Sequence, residues 1–222
     1  MNYFKDEILR VCVIIAMLAF WVMIFCVMKA SADEIDDVLP FLIQAESGGN
    51  PNAVSKAGAI GLCQVTPIVL KEYINFRIEE RYGNDLKRAE SEASGFDGMS
   101  TAGRFEWSLN NLKKYPDYNK TVATWYLRRL RDHYLKERLE RLTLYENDTV
   151  GSFDYDFSPM KNFFAEGYSW SDYKLALVLS AYNCGPTKLK SVGYDINKCP
   201  KETQAYVKKI LKNYKESREK SC

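Results

Sequence analysis

The chain has 222 residues, of which 46% are apolar and 14% aromatic, and this is the composition of a folded protein with a substantial core. The formal net charge is only +2, and no basic block precedes the C-terminal tail, which excludes a dedicated nucleic-acid-binding protein. The sequence has a single histidine, His133, and no closely spaced cysteine pair, so it predicts no metal site.

Residues 1–32 differ in character from the rest of the chain. Residues 11–28 are an uncharged apolar run, flanked by Arg10 and Lys29 and followed by Ala-Ser-Ala at residues 30–32. This pattern is typical of a signal peptide, and the run is just long enough to span a bilayer. The segment therefore predicts export to the periplasm or cell envelope. Cleavage and retention as an inner-membrane anchor both remain open.

Export would place the remaining cysteines in an oxidising compartment. They are Cys63, Cys184, Cys199 and Cys222. Such a compartment permits disulfides, and a short loop separates Cys184 from Cys199. Two alternatives follow from the sequence, a disulfide between these two cysteines or free buried thiols.

The exported part shows helical periodicity and no strand pattern of comparable strength, which predicts an all-α fold. In the first helix, Pro40 marks a point where the helix either kinks or begins. Thr66 and Pro67 are suited to the cap and first position of the second helix. The predicted helices cover residues 33–46, 67–82, 105–114, 121–144, 170–183 and 201–215.

One carboxylate lies on the apolar stripe of the first helix. Continuing that stripe by one turn reaches Glu46, and Gly48, Gly49 and Pro51 then stop the helix. Burial raises the pKa of a carboxylic acid, which suits a general acid working near neutral pH. The alternative is an ordinary exposed glutamate in a last helical turn. The position on the stripe makes Glu46 a candidate for a buried acid, and both alternatives stay open at this point.

A second apolar helix also ends in polar residues. Tyr182 and Asn183 follow its buried stripe, and Gly185 and Pro186 stop the helix at once. Polar groups at a helix end are often satisfied by the backbone alone, and this remains the alternative to a functional role.

Together these segments resemble the family 1 lytic transglycosylases, whose SLT domain has a goose-lysozyme-like fold. Four motifs occur in the family's order, and they are residues 46–51, residues 58–64, residues 181–186, and Glu202-Thr203 followed by Tyr206-Val207. The resemblance implies a lysozyme-like helical catalytic domain over residues 33–217. Compared with the family, the chain has an insertion around residues 71–120. The charged residues 218–222 after the last helix are predicted to form a frayed tail.

The resemblance implies roles for particular side chains. It implies that Glu46 is the sole catalytic acid/base, that Tyr182 hydrogen-bonds the catalytic carboxylate, and that Gln64 lines the substrate groove. Asn183 and Glu202 match further groove positions.

Ser47 follows the glutamate as in the family, and either contacts substrate or caps the helix locally. Two features depart from the family pattern. Cys63 and Thr66 stand where methionine is usual, which changes the apolar floor expected near the cleavage point. The segment after Gln64 is also longer than usual.

The reaction implied by the resemblance is cleavage of the β-1,4 bond between N-acetylmuramic acid and N-acetylglucosamine in peptidoglycan. It needs one carboxylate and no cofactor, because the C6 hydroxyl of the muramyl residue acts as the nucleophile and leaves a 1,6-anhydro end. A lysozyme-type hydrolase and a non-catalytic murein-binding scaffold are the alternatives. The modest size and the apolar segment suit local wall opening for a secretion, conjugation or phage apparatus.

Overall fold

The computed structural model describes Met17 and residues 33–82, 99–146 and 158–220. Within these residues the chain is helical, and β-structure is limited to two isolated bridges that both involve Ile60. The predicted all-α fold is thereby confirmed.

The apolar helix predicted at residues 11–28 lies outside the described residues, apart from Met17. Among the helices that the structure describes, none is both long and apolar enough to cross a membrane.

The described residues contain nine α-helices, one π-helical turn and one 3-10 turn. They are α1 (Glu34–Glu46), α2 (Pro67–Tyr82), α3 (Thr101–Lys114), α4 (Pro116–Arg129), a π-helical turn (Leu130–Tyr134), α5 (Lys136–Glu146), α6 (Ser158–Ala165), α7 (Trp170–Cys184), α8 (Pro186–Ser191), a 3-10 turn (Ile196–Lys198) and α9 (Lys201–Lys220).

The chain divides into two compact units, Met1–Asp37 and Val38–Cys222. Besides Met17, the first unit contributes only the opening turn of α1 to the described structure, and there the Asp33 carboxylate accepts a 3.1 Å hydrogen bond from the Ile35 amide. The second unit contains the other helices and all the candidate site residues. The helix α1 begins at Glu34 and continues through Pro40, so the proline lies inside the helix.

The helix α7 is the central element of the second unit. Its residues 175–181 are all buried, and α4, α5, α8, α9 and the π turn pack against it. A capping box starts the helix, because the Ser169 hydroxyl accepts from the Asp172 amide and the Asp172 carboxylate accepts from the Ser169 amide. Gly185, with φ +86°, ends it. This arrangement places Tyr182 and Asn183 at the C-terminal end of a buried helix.

The helices α2, α3 and α4 pack against one another and account for the described part of the predicted insertion. The predicted start of α2 is confirmed, because Pro67 is its first residue and the Thr66 hydroxyl accepts a 3.3 Å hydrogen bond from the Val69 amide. The helix α3 begins at Thr101, somewhat earlier than its apolar pattern predicts, because Ser100 caps it by accepting from the Gly103 amide.

The long helix predicted over residues 121–144 is interrupted. Its first part, α4, starts earlier, at Pro116, and a π-helical turn separates it from α5. In that turn the Leu135 amide donates to the Leu130 carbonyl at 2.8 Å, which is the i to i+5 spacing of a π-helix.

The last helix extends beyond its predicted end and into the predicted tail. It continues to Lys220, and Arg218 donates a 2.6 Å hydrogen bond to the carboxylate of Asp172. This ion pair connects the end of α9 to the start of α7, and the Asp172 side chain in it is buried. The prediction of a frayed tail from residue 218 is therefore wrong for residues 218–220.

The described cysteines Cys63, Cys184 and Cys199 are thiols, so the structure contains the second of the two predicted alternatives. The Cys199 thiol is buried and donates to the Asp195 carbonyl at 3.7 Å. Cys222 lies outside the described residues.

Candidate active site

Glu46 is half-buried at the C-terminal end of α1 and receives a hydrogen bond from α9. The hydroxyl of Tyr206 donates to Oε1 of Glu46 at 2.7 Å. Tyr206 is itself only 9% exposed, so the tyrosine is held by packing. Tyr206 belongs to the fourth sequence motif, but the motif alone does not indicate a role for it.

The environment of Glu46 raises the pKa of its carboxyl group into the neutral range. Burial raises its pKa from 4.5 to about 7, although the hydrogen bond from Tyr206 opposes this, and the charge of Glu202 raises the pKa further. A carboxylic acid with this pKa is partly protonated at neutral pH and is able to act as a general acid and then as a general base.

The loop between α1 and α2 is held beside Glu46 by a buried asparagine from α4. Asn119 is fully buried, accepts a 2.9 Å hydrogen bond from the Cys63 amide and donates a 2.8 Å bond to the Ile60 carbonyl. At Gly61 the backbone has φ +78°, and an added Cβ would lie 2.3 Å from the Asn119 amide nitrogen. A glycine is therefore required at this close approach. The sequence carries no signal for the role of Asn119.

The described hydrogen bonds of the Ser47 hydroxyl are local, and they reach the Ile43 carbonyl of α1 as well as the loop that follows the helix. Its hydroxyl donates to the Leu62 carbonyl at 2.8 Å and accepts from the Gly49 amide at 3.2 Å. The structure thus gives Ser47 the local role that was one of its two predicted alternatives. Contact with substrate remains a prediction.

Gln64 also stabilises the loop. Its backbone has φ +49°, and its side-chain amide donates to the carbonyls of Gly61 and Ala53 at 3.0 and 3.3 Å. These bonds compensate for a left-handed backbone conformation that a non-glycine residue seldom adopts. The predicted role of Gln64 in lining a groove stays a prediction.

The hydrogen bond predicted between Tyr182 and Glu46 is wrong. The Tyr182 hydroxyl donates instead to the Cys63 carbonyl at 2.8 Å, and Tyr206 takes the predicted place beside the carboxylate. The reason lies in the packing of the ring, because Tyr182 stands at the end of α7 against Tyr126, with ring centroids 5.8 Å apart. From there it supports the loop that flanks Glu46.

Asn183 lies at the end of α7, and Glu202 lies in the first turn of α9, which packs against α7. The Thr203 hydroxyl donates to Oδ1 of Asn183 at 2.7 Å, and Thr203 is buried, so Asn183 is oriented by the protein. Glu202 is exposed, yet its charge reaches Glu46 and contributes to the raised pKa. Glu202 is thus a second carboxylate whose charge acts on Glu46, and the predicted groove roles of Asn183 and Glu202 stay predictions.

Cys63 forms a buried neighbour of Glu46. Burial, and then the charge of Glu46, raise the pKa of its thiol to about 12. The interactions thus favour the neutral thiol. Over residues 33–82, 99–146 and 158–220, no group of histidine, cysteine or acidic side chains is arranged to hold a metal ion.

The comparison with protein families is informative at this point. Residues 27–89 match the transglycosylase SLT domain. The SLT match agrees with the resemblance to family 1 lytic transglycosylases and the lysozyme-like superfamily, and it indicates a transglycosylase-type enzyme that acts on peptidoglycan. It includes Glu46, Ser47 and Gln64 and ends before Tyr182. Comparisons with curated proteins and with solved structures return no match.

Proposed function

We propose that this protein is a peptidoglycan lytic transglycosylase that cleaves the bond between N-acetylmuramic acid and N-acetylglucosamine and leaves a 1,6-anhydro end. The observation that carries the proposal is Glu46, a half-buried carboxyl group with a pKa near 7 that lies inside the SLT match. Tyr206, Tyr182 and the loop held by Asn119 support its position.

In the proposed mechanism Glu46 acts twice. The protonated carboxyl donates its proton to the glycosidic oxygen as the bond breaks, and the N-acetylglucosamine leaves as the alcohol. The resulting carboxylate then accepts the proton of the muramyl C6 hydroxyl as that oxygen attacks C1 of the same residue. The proton on Glu46 is restored, and no water enters the product. A pKa near neutrality suits a group that must serve as both acid and base.

A lysozyme-type hydrolase is the second candidate, and the position of Glu202 favours it. Hydrolysis of glycosides usually employs two carboxylates, one as the acid and one to activate water or stabilise the sugar. Glu202 is exposed and close enough to influence the pKa of Glu46. The two candidates share Glu46 as the acid and differ in the group that attacks the sugar.

The experiment that separates these candidates is mass spectrometry of the muropeptides that the full-length protein releases from purified peptidoglycan. The transglycosylase is expected to release products lighter by one water than those of a lysozyme. The Glu46→Gln variant is expected to fold and to release almost nothing. Glu79→Gln, an exposed position on α2, serves as the matched control and should retain full activity.

Each other result has a definite meaning. Ordinary reducing ends would support the hydrolase and make Glu202 the next residue to substitute. Full release by Glu46→Gln would reject Glu46 as the acid. No release by the unsubstituted protein on any peptidoglycan would favour the murein-binding scaffold.

We further propose that the protein acts in the periplasm or cell envelope, held there by residues 11–28 if these are not cleaved. Its proposed task is local opening of the wall for an envelope-spanning secretion, conjugation or phage apparatus. The apolar segment at residues 11–28 supports this proposal. Deletion should impair assembly of such an apparatus and spare bulk wall growth, and an unimpaired apparatus would contradict the proposal.

A further inference from the structure

A cavity of about 660 Å³ lies between the π turn, α5 and α8, and it carries several cations. We name it the basic cavity and define it by six of its lining residues, Tyr134, Arg138, Arg141, Thr187, Lys190 and Tyr194. Its volume is within the range of ligand-binding pockets in proteins. One wall is a π-helical turn, a feature that occurs frequently at functional sites. Neither Glu46 nor Tyr206 lines it.

The charges around the basic cavity favour an anion. Its charged lining consists of Arg138, Arg141 and Lys190 with a single acidic residue, Glu137, which leaves a net charge of +2. Arg141 donates to Glu137 at 2.6 Å, and Lys190 forms no ion pair within the described residues.

Arg138 is the most enclosed of the three cations. Its guanidinium lies over the ring of Tyr194, 5.5 Å from the ring centroid. Burial lowers the pKa of Arg138, and the like charge of Arg141 acts in the same direction. An anion bound between these side chains would relieve both effects, and a guanidinium offers a planar pair of donors that matches a carboxylate.

The end of α7 lies between the basic cavity and the candidate active site in the chain and in its contacts. Tyr182, whose hydroxyl supports the loop beside Glu46, packs against Tyr126. The helix α8, which forms another wall, starts only four residues after Tyr182. The C-terminal end of α7 therefore adjoins both the loop beside Glu46 and the basic cavity.

We propose that the basic cavity binds a carboxylate of the stem peptide that branches from the peptidoglycan strand. This inference rests on the proposed function and specifies which part of the polymer the protein recognises besides the sugar. In a strand that carries peptides, the lactyl carboxylate of the muramyl residue is consumed in an amide bond. The free carboxylates of such a strand therefore belong to the peptide, and the protein should prefer strands that carry peptides.

The test measures the affinity of the full-length Glu46→Gln protein for soluble glycan strands, with and without stem peptides, by isothermal titration calorimetry. Strands without peptides are prepared with an amidase. In this background, Lys190→Glu should reduce affinity for peptide-bearing strands about tenfold, the size expected for losing one charge-assisted contact. Lys190→Arg should keep the affinity within twofold. Lys209→Glu, at an exposed position on α9, is the matched control for charge.

The outcomes separate this inference from the proposed function. A tenfold loss that is confined to peptide-bearing strands and shrinks with added salt supports the inference. An equal loss on both kinds of strand overturns it, because amidase treatment frees the lactyl carboxylate, which would then be the bound anion. No loss, in a protein whose unsubstituted form releases anhydro-muropeptides, overturns the inference and leaves the proposed function intact. If the unsubstituted protein releases nothing and neither strand binds, the proposed function fails and the inference fails with it.

Discussion

The hydroxyl of Tyr206 donates a 2.7 Å hydrogen bond to Oε1 of Glu46 and thereby joins α9 to the end of α1, across 160 residues of sequence. Burial raises the pKa of Glu46, and this hydrogen bond opposes the increase because it favours the ionised carboxylate. The balance leaves the pKa at about 7. Tyr206 is thus a positioning residue that also sets the pH range over which Glu46 holds its proton.

Substitution of this tyrosine tests that role. We expect Tyr206→Phe to raise the pKa of Glu46 and to move the alkaline limb of the pH–rate profile upward by about one pH unit, since a hydrogen bond to a charged group contributes roughly 1.5–3 kcal/mol. The maximal rate should also fall, because the carboxyl group loses a contact that orients it. The measurement is kcat/KM for peptidoglycan digestion between pH 5 and pH 9.

Tyr182→Phe is the matched control for that prediction. It removes a hydroxyl of the same kind, but the hydroxyl of Tyr182 is bound to the Cys63 carbonyl. We expect a lower rate, because the loop loses a support, and an alkaline limb at the wild-type pH. If Tyr182→Phe moved the limb and Tyr206→Phe did not, the assignment of the two tyrosines would have to be exchanged.

The raised pKa of Glu46 also predicts how the stability of the protein depends on pH. The unfolded chain ionises this group near pH 4.5, whereas the folded protein does so near pH 7, so the folded state binds more protons in between. Stability therefore falls as pH rises through this window. We expect Glu46→Gln to be more stable than wild type by about 2 kcal/mol at pH 8, and the difference to vanish near pH 4.

Chemical denaturation at both pH values measures this difference. Glu79→Gln should leave stability unchanged at both, since Glu79 is exposed. A Glu46→Gln protein that is less stable than wild type at pH 8 would mean that the ionised carboxylate is well solvated in the folded state.

The sequence predicts those parts of the site that depend on local pattern. The stripe that leads to Glu46, the cap at Thr66 and the stop at Gly185 are all local, and the structure contains each of them. A helix end is determined by the few residues around it, so these features can be predicted from the sequence alone.

The contacts that tune the site are long-range and were not predictable in the same way. Tyr206 meets Glu46, and Asn119 meets Cys63, only because α7 positions its neighbouring helices. Tyr182 lies near the end of α7 and Tyr206 near the start of α9, and the sequence does not show which acceptor each hydroxyl reaches. That acceptor, a backbone carbonyl or the Glu46 carboxylate, decides the role of each tyrosine. The prediction for Tyr182 was wrong for this reason.

A third prediction concerns the end of α9. Burial raises the pKa of Asp172, but hydrogen bonds from Ser169 and Arg218 outweigh it and lower the pKa overall, so the interactions favour the ionised form. Their contribution is present above pH 4 and is lost as pH falls below it. We expect Arg218→Gln to lower the free energy of unfolding by about 1 kcal/mol at pH 7, a modest value because Arg218 is partly exposed. Thermal unfolding at pH 7 and pH 3 measures this, with Lys209→Gln as the control. An equal loss at both pH values would contradict the ion pair.

The last prediction concerns the loop between α1 and α2. It separates two free-energy costs of adding a side chain there, the strain of the backbone and the clash with a neighbouring residue. Gly48 and Gly61 both have positive φ, but an added Cβ at Gly48 meets nothing within 4 Å, whereas at Gly61 it meets the amide of Asn119 at 2.3 Å. Gly48→Ala should therefore cost only the backbone strain, about 1 kcal/mol. Gly61→Ala should cost about 3 kcal/mol, because Asn119 must move, which leaves the Cys63 amide without its partner and removes one of the two donors to the Ile60 carbonyl. Urea denaturation measures both losses. Activity should fall further in Gly61→Ala than stability alone explains, since the displaced loop flanks Glu46. Equal losses in the two variants would mean that Asn119 does not hold this loop.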